Sequence, residues 1–217
     1  MLIIDTTHHS IGGKEYYEYI AFDTWFGLLH RHLRKGRECT WGYRILLAEL
    51  EKIGYKPYVV VSDGGTGIFS MLRLFSLENR HQRCHVHILR DMRVGFRMNL
   101  KRMKSALRKY YIYKYAKLLL DSRTDEQYSL RWKHFQRVVL KMWNPQGDGE
   151  KNVVKAFVKV LDKAFTFTKF SDVPTTTNQV EGYISNINTR LKTMRGLKSP
   201  ANAELLLNAI HHYLKQK

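Results

Sequence analysis

Cysteine is nearly absent from this sequence, with Cys39 and Cys84 the only two in 217 residues. Two thiols make no disulfide framework, so a buried core must hold the fold, and a reducing interior, cytosol or nucleoid, is the expected setting. Long apolar runs are missing too, and none approaches the roughly 20 residues of a membrane-spanning helix. The opening residues Met1-Leu2-Ile3-Ile4-Asp5 reach an acid at once, unlike a secretory signal. No internal repeat and no low-complexity segment interrupts the chain. Acids are scarce as well: 19 Asp and Glu stand against 37 Lys and Arg, a formal charge of +18. That imbalance attracts polyanions, of which nucleic acid is the commonest in a cell. A lipid surface is the rival partner, but no lipidation motif supports it.

What is present suits a globular α/β chain. Hydrophobic residues make up 44%, enough for a real core, and the length fits one large domain or one carrying an insertion. Short extended stretches come first: Leu2 to Ile4, Tyr16 to Phe22 after the Gly12-Gly13 turn, and Trp25 to Leu33. Short connections imply an antiparallel meander. The period then changes. Thr40 caps an expected helix to about Ile53, with Tyr43, Leu46, Leu47, Leu50 and Ile53 on one face and Gly54 as its stop. The β-branched run to Val61 reads as a strand buried on both faces, closed by Ser62-Asp63-Gly64-Gly65. A helix over about 66–77 and a fifth strand over 81–84 follow, a mixed layout.

From about His87 to Phe170 the pattern is helical. Leu89, Met92, Phe96, Leu100, Met103 and Leu107 recur at three and four residues. One position later Arg90, Arg93, Arg97, Lys101, Lys104 and Arg108 repeat that spacing. They predict a basic stripe along about five turns, where like charges cost stability unless an anion compensates. Two last helices are expected, Asn178 to about Thr193 and, after the Ser199-Pro200 restart, one to about Lys215.

Three acids have settings that suit chemistry. Asp5 and Asp63 each end an apolar strand, where α/β folds place reactive groups. Carboxylate oxygens on rigid strands suit Mg²⁺. Taken singly, either Asp is equally a turn or cap residue. Glu181 lies one turn into a helix, on a polar stripe with Ser185, Asn188, Lys192 and Arg195. Asn178-Gln179-Val180-Glu181 also fits a capping box, with Glu181 at its third helical position. Cys84, His85 and His87 invite a zinc reading, but zinc wants four ligands in paired clusters and Cys39 is distant.

Together these pieces resemble the catalytic region of Mutator-like DDE transposases of bacterial insertion sequences. Leu2-Ile3-Ile4-Asp5 matches that family's first strand and acid, and Val59-Val60-Val61-Ser62-Asp63-Gly64 its second. Gln82-Arg83-Cys84-His85-Val86-His87 fits its Cys-x-x-His signature, and Thr176-Thr177-Asn178-Gln179-Val180-Glu181-Gly182 its last acid. The resemblance implies an RNase H-like mixed five-stranded sheet flanked by helices, with an all-helical insertion before the last catalytic helix. The expected division is 1–90 and 173–217 for the catalytic core and 91–172 for the insertion. Members of the family usually carry an upstream DNA-recognition domain, whereas here the first strand begins at residue 2.

The resemblance further implies that Asp5, Asp63 and Glu181 hold two Mg²⁺ ions, with Mn²⁺ as substitute, for DNA cleavage and strand transfer. Cys84 and His87 would stand near the site without a structural zinc. Double-stranded DNA, both transposon ends and target, is the implied partner of a homo-oligomer, with no membrane involved. Arg90, Arg93, Arg97, Lys101, Lys104, Arg108, Lys192 and Arg195 are the expected DNA contacts. A structure-specific nuclease on the same fold and a catalytically silent DNA-binding remnant are the competing readings.

Overall fold

A computed structural model describes residues 1–65, 67–98, 107–142, 147–170, 172–193 and 197–215. Two compact units divide it: Met1–His81 with Thr176–Lys217, and Gln82–Thr175.

The first unit is built on a sheet of order β3-β2-β1-β4-β5. Strand β1 (Leu2–Ile11) pairs antiparallel with β2 (Lys14–Asp23), which pairs antiparallel with β3 (Gly27–Lys35). Both residues of the β1–β2 turn, Gly12 and Gly13, have positive φ, the conformation that two-residue hairpin turns require. On its other side β1 pairs in parallel with β4 (Val60–Ser62). Strand β5 (His81–Arg83) ends the sheet. This is the expected mixed five-stranded sheet.

Side-chain alternation gives the sheet two distinct faces. On one, Leu2, Ile4, Tyr19, Ala21 and Val60 pack with Tyr43, Leu46, Leu47 and Leu50 of α1 (Thr40–Lys52) and with Ile68, Met71 and Leu72 of α2 (Ile68–Leu74). Ile53, expected on the apolar face of α1, instead follows the helix end and is exposed. The opposite face receives α7 (Asn178–Thr193) and α8 (Pro200–Lys215): Asn188 reaches Thr7, Tyr183 meets Phe22, and Ala203 packs on Ile11 and Tyr16.

The second unit holds α3 (His85–Gly95), α4 (Leu107–Leu120), α5 (Asp125–Phe135) continued by a π-helical turn (Gln136–Met142), and α6 (Gly147–Ala164). Its core joins Ile88, Met92, Phe96, Ile112, Leu119, Phe135, Phe157 and Leu161. The units part at residues 81/82 and 175/176. The reason is that the apolar face of α3 belongs to this helical core.

Two expectations are corrected. Asp5 does not end its strand, because Thr6 to Ile11 continue the pairing with β2. The helix after His87 does not run through to Leu107: α3 stops at Gly95, and Arg97 takes a left-handed conformation with φ 53°. Such a residue breaks helical hydrogen bonding, so the five-turn stripe is not continuous.

Candidate active site

Asp5 and Asp63 come together through strand register. The parallel pairs Leu2↔Val60, Ile3↔Val61 and Ile4↔Ser62 put Asp5 and Asp63 at the next step of adjacent strands. Asp5 alternates with Ile3 and Thr7, so its side chain belongs to the face that receives α7. Both carboxylates are partly buried and held by backbone donors: Thr6 N–H donates to Asp5 Oδ1 at 2.8 Å, and Gly65 N–H to Asp63 Oδ1 at 2.8 Å. The turn role anticipated for Asp63 is therefore real, and it orients a carboxylate at the rim.

Glu181 arrives on α7. Val180, Ile184, Ile187 and Leu191 bury one side of that helix. The neighbouring polar stripe turns toward β1, because Asn188 Nδ2 donates to Thr7 Oγ1 at 3.4 Å. Glu181 lies two helical turns before Asn188 on the same stripe, on the face of the sheet to which Asp5 belongs. The helix starts at Asn178, making Glu181 its fourth residue, whereas a capping box needs the third, which is Val180. Thr177 Oγ1 donates to Glu181 Oε1 at 2.5 Å instead.

A buried polar network anchors α7 and α8 to the same face. Glu18 is fully buried and meets His9 Nε2 at 2.9 Å, His211 Nε2 at 2.8 Å and Arg31 Nη1 at 3.0 Å. Burial pushes its carboxyl up, but the hydrogen bonds with His211 and His9 and the nearby charges prevail and hold it down at about 2. His211 Nδ1 in turn meets the Tyr183 hydroxyl at 2.6 Å. No sequence motif announces this network, whose members are scattered over β1, β2, β3, α7 and α8.

Glu38, just before α1, is another residue the motifs did not single out. The buried Tyr43 hydroxyl donates to Glu38 Oε1 at 2.5 Å. An ideal Cβ on Gly65 would stand 2.5 Å from Glu38 Oε1 and 3.2 Å from Asp63 Oδ1. Glycine at 65 thus keeps open a small space bordered by two carboxylates. Hard oxygen donors around a cleared cradle are the donor set that Mg²⁺ or Mn²⁺ takes, so these residues fit such an ion.

Cys84 and His87 are buried in the helical unit, Cys84 as the residue before α3 and His87 in its first turn. Arg90 and Arg97 are exposed and Arg93 partly so. Arg108 pairs with Glu150 at 2.9 Å, while Lys101, Lys104 and Arg195 lie outside the described residues. Lys192 lines an open cleft of about 490 Å³ with His8, His9, Ser10, Asn188, Leu191 and Leu197. Among the described residues, no helix is long and apolar enough to cross a membrane.

Comparison with known proteins finds no match among curated sequences. Among solved structures, the cryo-EM structure of a simian T-cell lymphotropic virus intasome in complex with PP2A regulatory subunit B56 gamma aligns with 63% of this chain at 18% identity and TM-score 0.34. The alignment spans 47% of that structure's chain, about half its length. The family described as "Transposase, Mutator family" matches residues 33–212. That is most of the sequence, and the chain belongs to the Mutator family of transposases.

Proposed function

We propose that this chain is the catalytic part of a transposase that cuts and joins DNA phosphodiesters, with Asp5, Asp63 and Glu181 holding divalent metal, Mg²⁺ or its substitute Mn²⁺. The observation that carries the reading is the register of β1 and β4, which sets Asp5 beside Asp63 on the face where α7 brings Glu181. Bound there, two such ions would activate the attacking oxygen and neutralise charge on the leaving oxygen.

The protein's own residues prepare the site. Thr6 and Gly65 N–H groups fix the carboxylates of Asp5 and Asp63, and the Thr177 hydroxyl fixes that of Glu181. Water is the nucleophile for cleavage at the element's end, and the released 3′-hydroxyl is the nucleophile for joining to target DNA. No side chain needs to become covalently attached. Arg90, Arg93, Arg97 and Lys192 contribute cationic surface for the phosphate backbone of double-stranded DNA, on which the chain would act as a homo-oligomer.

The test is a plasmid carrying the DNA that flanks the gene, incubated with the protein and Mg²⁺, Mn²⁺ or Ca²⁺. Cleavage and end-joining with Mg²⁺ or Mn²⁺ support the reading. Cleavage without joining points to a nuclease, and DNA binding with neither reaction to a silent remnant.

A further inference from the structure

Among the described residues, Glu38 is an acid beside Asp63 that the proposed chemistry does not use. It lies between β3 and α1, on the side of the sheet opposite α7. Two hydroxyls fix its carboxylate: Tyr43 donates to Oε1, and the Thr6 side chain, next to Asp5, also bonds it. Its carboxylate and that of Asp63 both border the space that a methyl on Gly65 would fill.

This arrangement costs free energy in the metal-free chain. A partly buried carboxylate beside a second one is normally balanced by a base. Yet no ion pair among the described residues involves Glu38, although the chain carries 37 Lys and Arg. A divalent cation in the Gly65 cradle would relieve the repulsion, and the donors Tyr43 and Thr6 already hold Glu38 in place for it. The turn at Gly65 adds to this, since any larger side chain there would occupy the space between the acids.

We infer that Glu38 is a fourth acidic ligand of the cation site, reaching the ion held by Asp63 from the α1 side of the sheet. This rests on the proposed function, which assigns a cation to Asp63. It implies that one ion of the pair is bound by acids from the turn after β4 and the β3–α1 connection, and that Glu38 tunes its affinity.

The experiment titrates the full chain with Mn²⁺ and reads free Mn²⁺ by electron paramagnetic resonance, without DNA. Glu38→Gln keeps an oxygen acceptor for Tyr43 and Thr6 but loses the charge. Its Mn²⁺ affinity is expected to fall about tenfold or more, while the metal-free melting temperature stays unchanged or rises. Asp63→Asn provides the reference loss. Wild-type affinity in Glu38→Gln beside weak binding in Asp63→Asn overturns the inference and leaves the proposed function standing. Wild-type affinity in both overturns both. Should Glu38→Gln fail to fold, Gly65→Ala decides the question: its methyl enters the cradle and should weaken Mn²⁺ binding, and wild-type affinity there would contradict the inference.

Discussion

The Thr177 hydroxyl donates to the Glu181 carboxylate at 2.5 Å, and the bond separates two roles this acid could have. A capping glutamate stabilises the start of its helix through the backbone. Glu181 stands one residue too late for that box, and its carboxylate is oriented by the side chain one turn earlier. Glu181→Gln should therefore remove DNA cleavage while moving the melting temperature by less than about 2 °C, since an uncapped surface position changes stability by roughly 0.5 kcal/mol or less. A markedly lowered melting temperature with activity retained would return Glu181 to a capping role.

The bounds of α7 were legible because Val180, Ile184, Ile187 and Leu191 mark its buried side directly in the sequence. The length of β1 was not, since Thr6 to Ser10 are polar and read as a loop until β2 pairs with them. The break after Gly95 was also hidden: Leu89, Met92 and Phe96 keep a period that Leu100, Met103 and Leu107 continue, and one left-handed residue, Arg97, leaves no mark on it. Asp5 and Asp63 could be picked out as acids that close apolar runs, but their adjacency needed the register. Glu38 could not be picked out, because only the fold brings it across Gly65 to Asp63.

Electrostatics of the helical unit should divide by pairing. Arg90 and Arg97 are exposed and Arg93 partly so, whereas Arg108 is paired with Glu150. Replacing Arg90, Arg93 and Arg97 with Gln should weaken binding to all duplex sequences alike. It should also shallow the slope of log affinity against log salt by up to about three units, near one per lost phosphate contact. Arg108→Gln should leave the slope alone. Fluorescence anisotropy across a salt series measures both, and an unchanged slope in the triple variant would remove α3 from the DNA path.

Glu18 carries a stability prediction with a defined pH window. Its carboxyl is held at about 2 in the fold against an ordinary value of 4.5. A depressed carboxyl contributes stability that is full above about 4.5 and lost as pH falls through about 2. Glu18→Gln leaves Arg31, His9 and His211 without their buried anion. It should cost on the order of 3–5 kcal/mol at pH 7. Urea unfolding of both proteins at pH 7, 4 and 3 should show the gap narrowing toward acid, and a constant gap would contradict the charge-based account.

Gly42 makes room for the Tyr19 ring, which a Cβ at that position would overlap. Tyr19 and Tyr43 meet edge to face at 4.9 Å in the core between sheet and α1. Gly42→Ala should cost about 1–3 kcal/mol by overpacking, despite the better helix propensity of alanine. Thermal unfolding would register the loss, and a stabilised variant would show that α1 does not press on the sheet as described.

The central claim is that Asp5 and Asp63 form a cation site by virtue of strand register. Anomalous X-ray diffraction from crystals grown with Mn²⁺, collected at the manganese edge, locates the ion without reference to activity. The account predicts a peak within coordination distance of both carboxylates that vanishes in Asp63→Asn. A peak elsewhere with none at Asp5 and Asp63, or one that persists undiminished in Asp63→Asn, would contradict it.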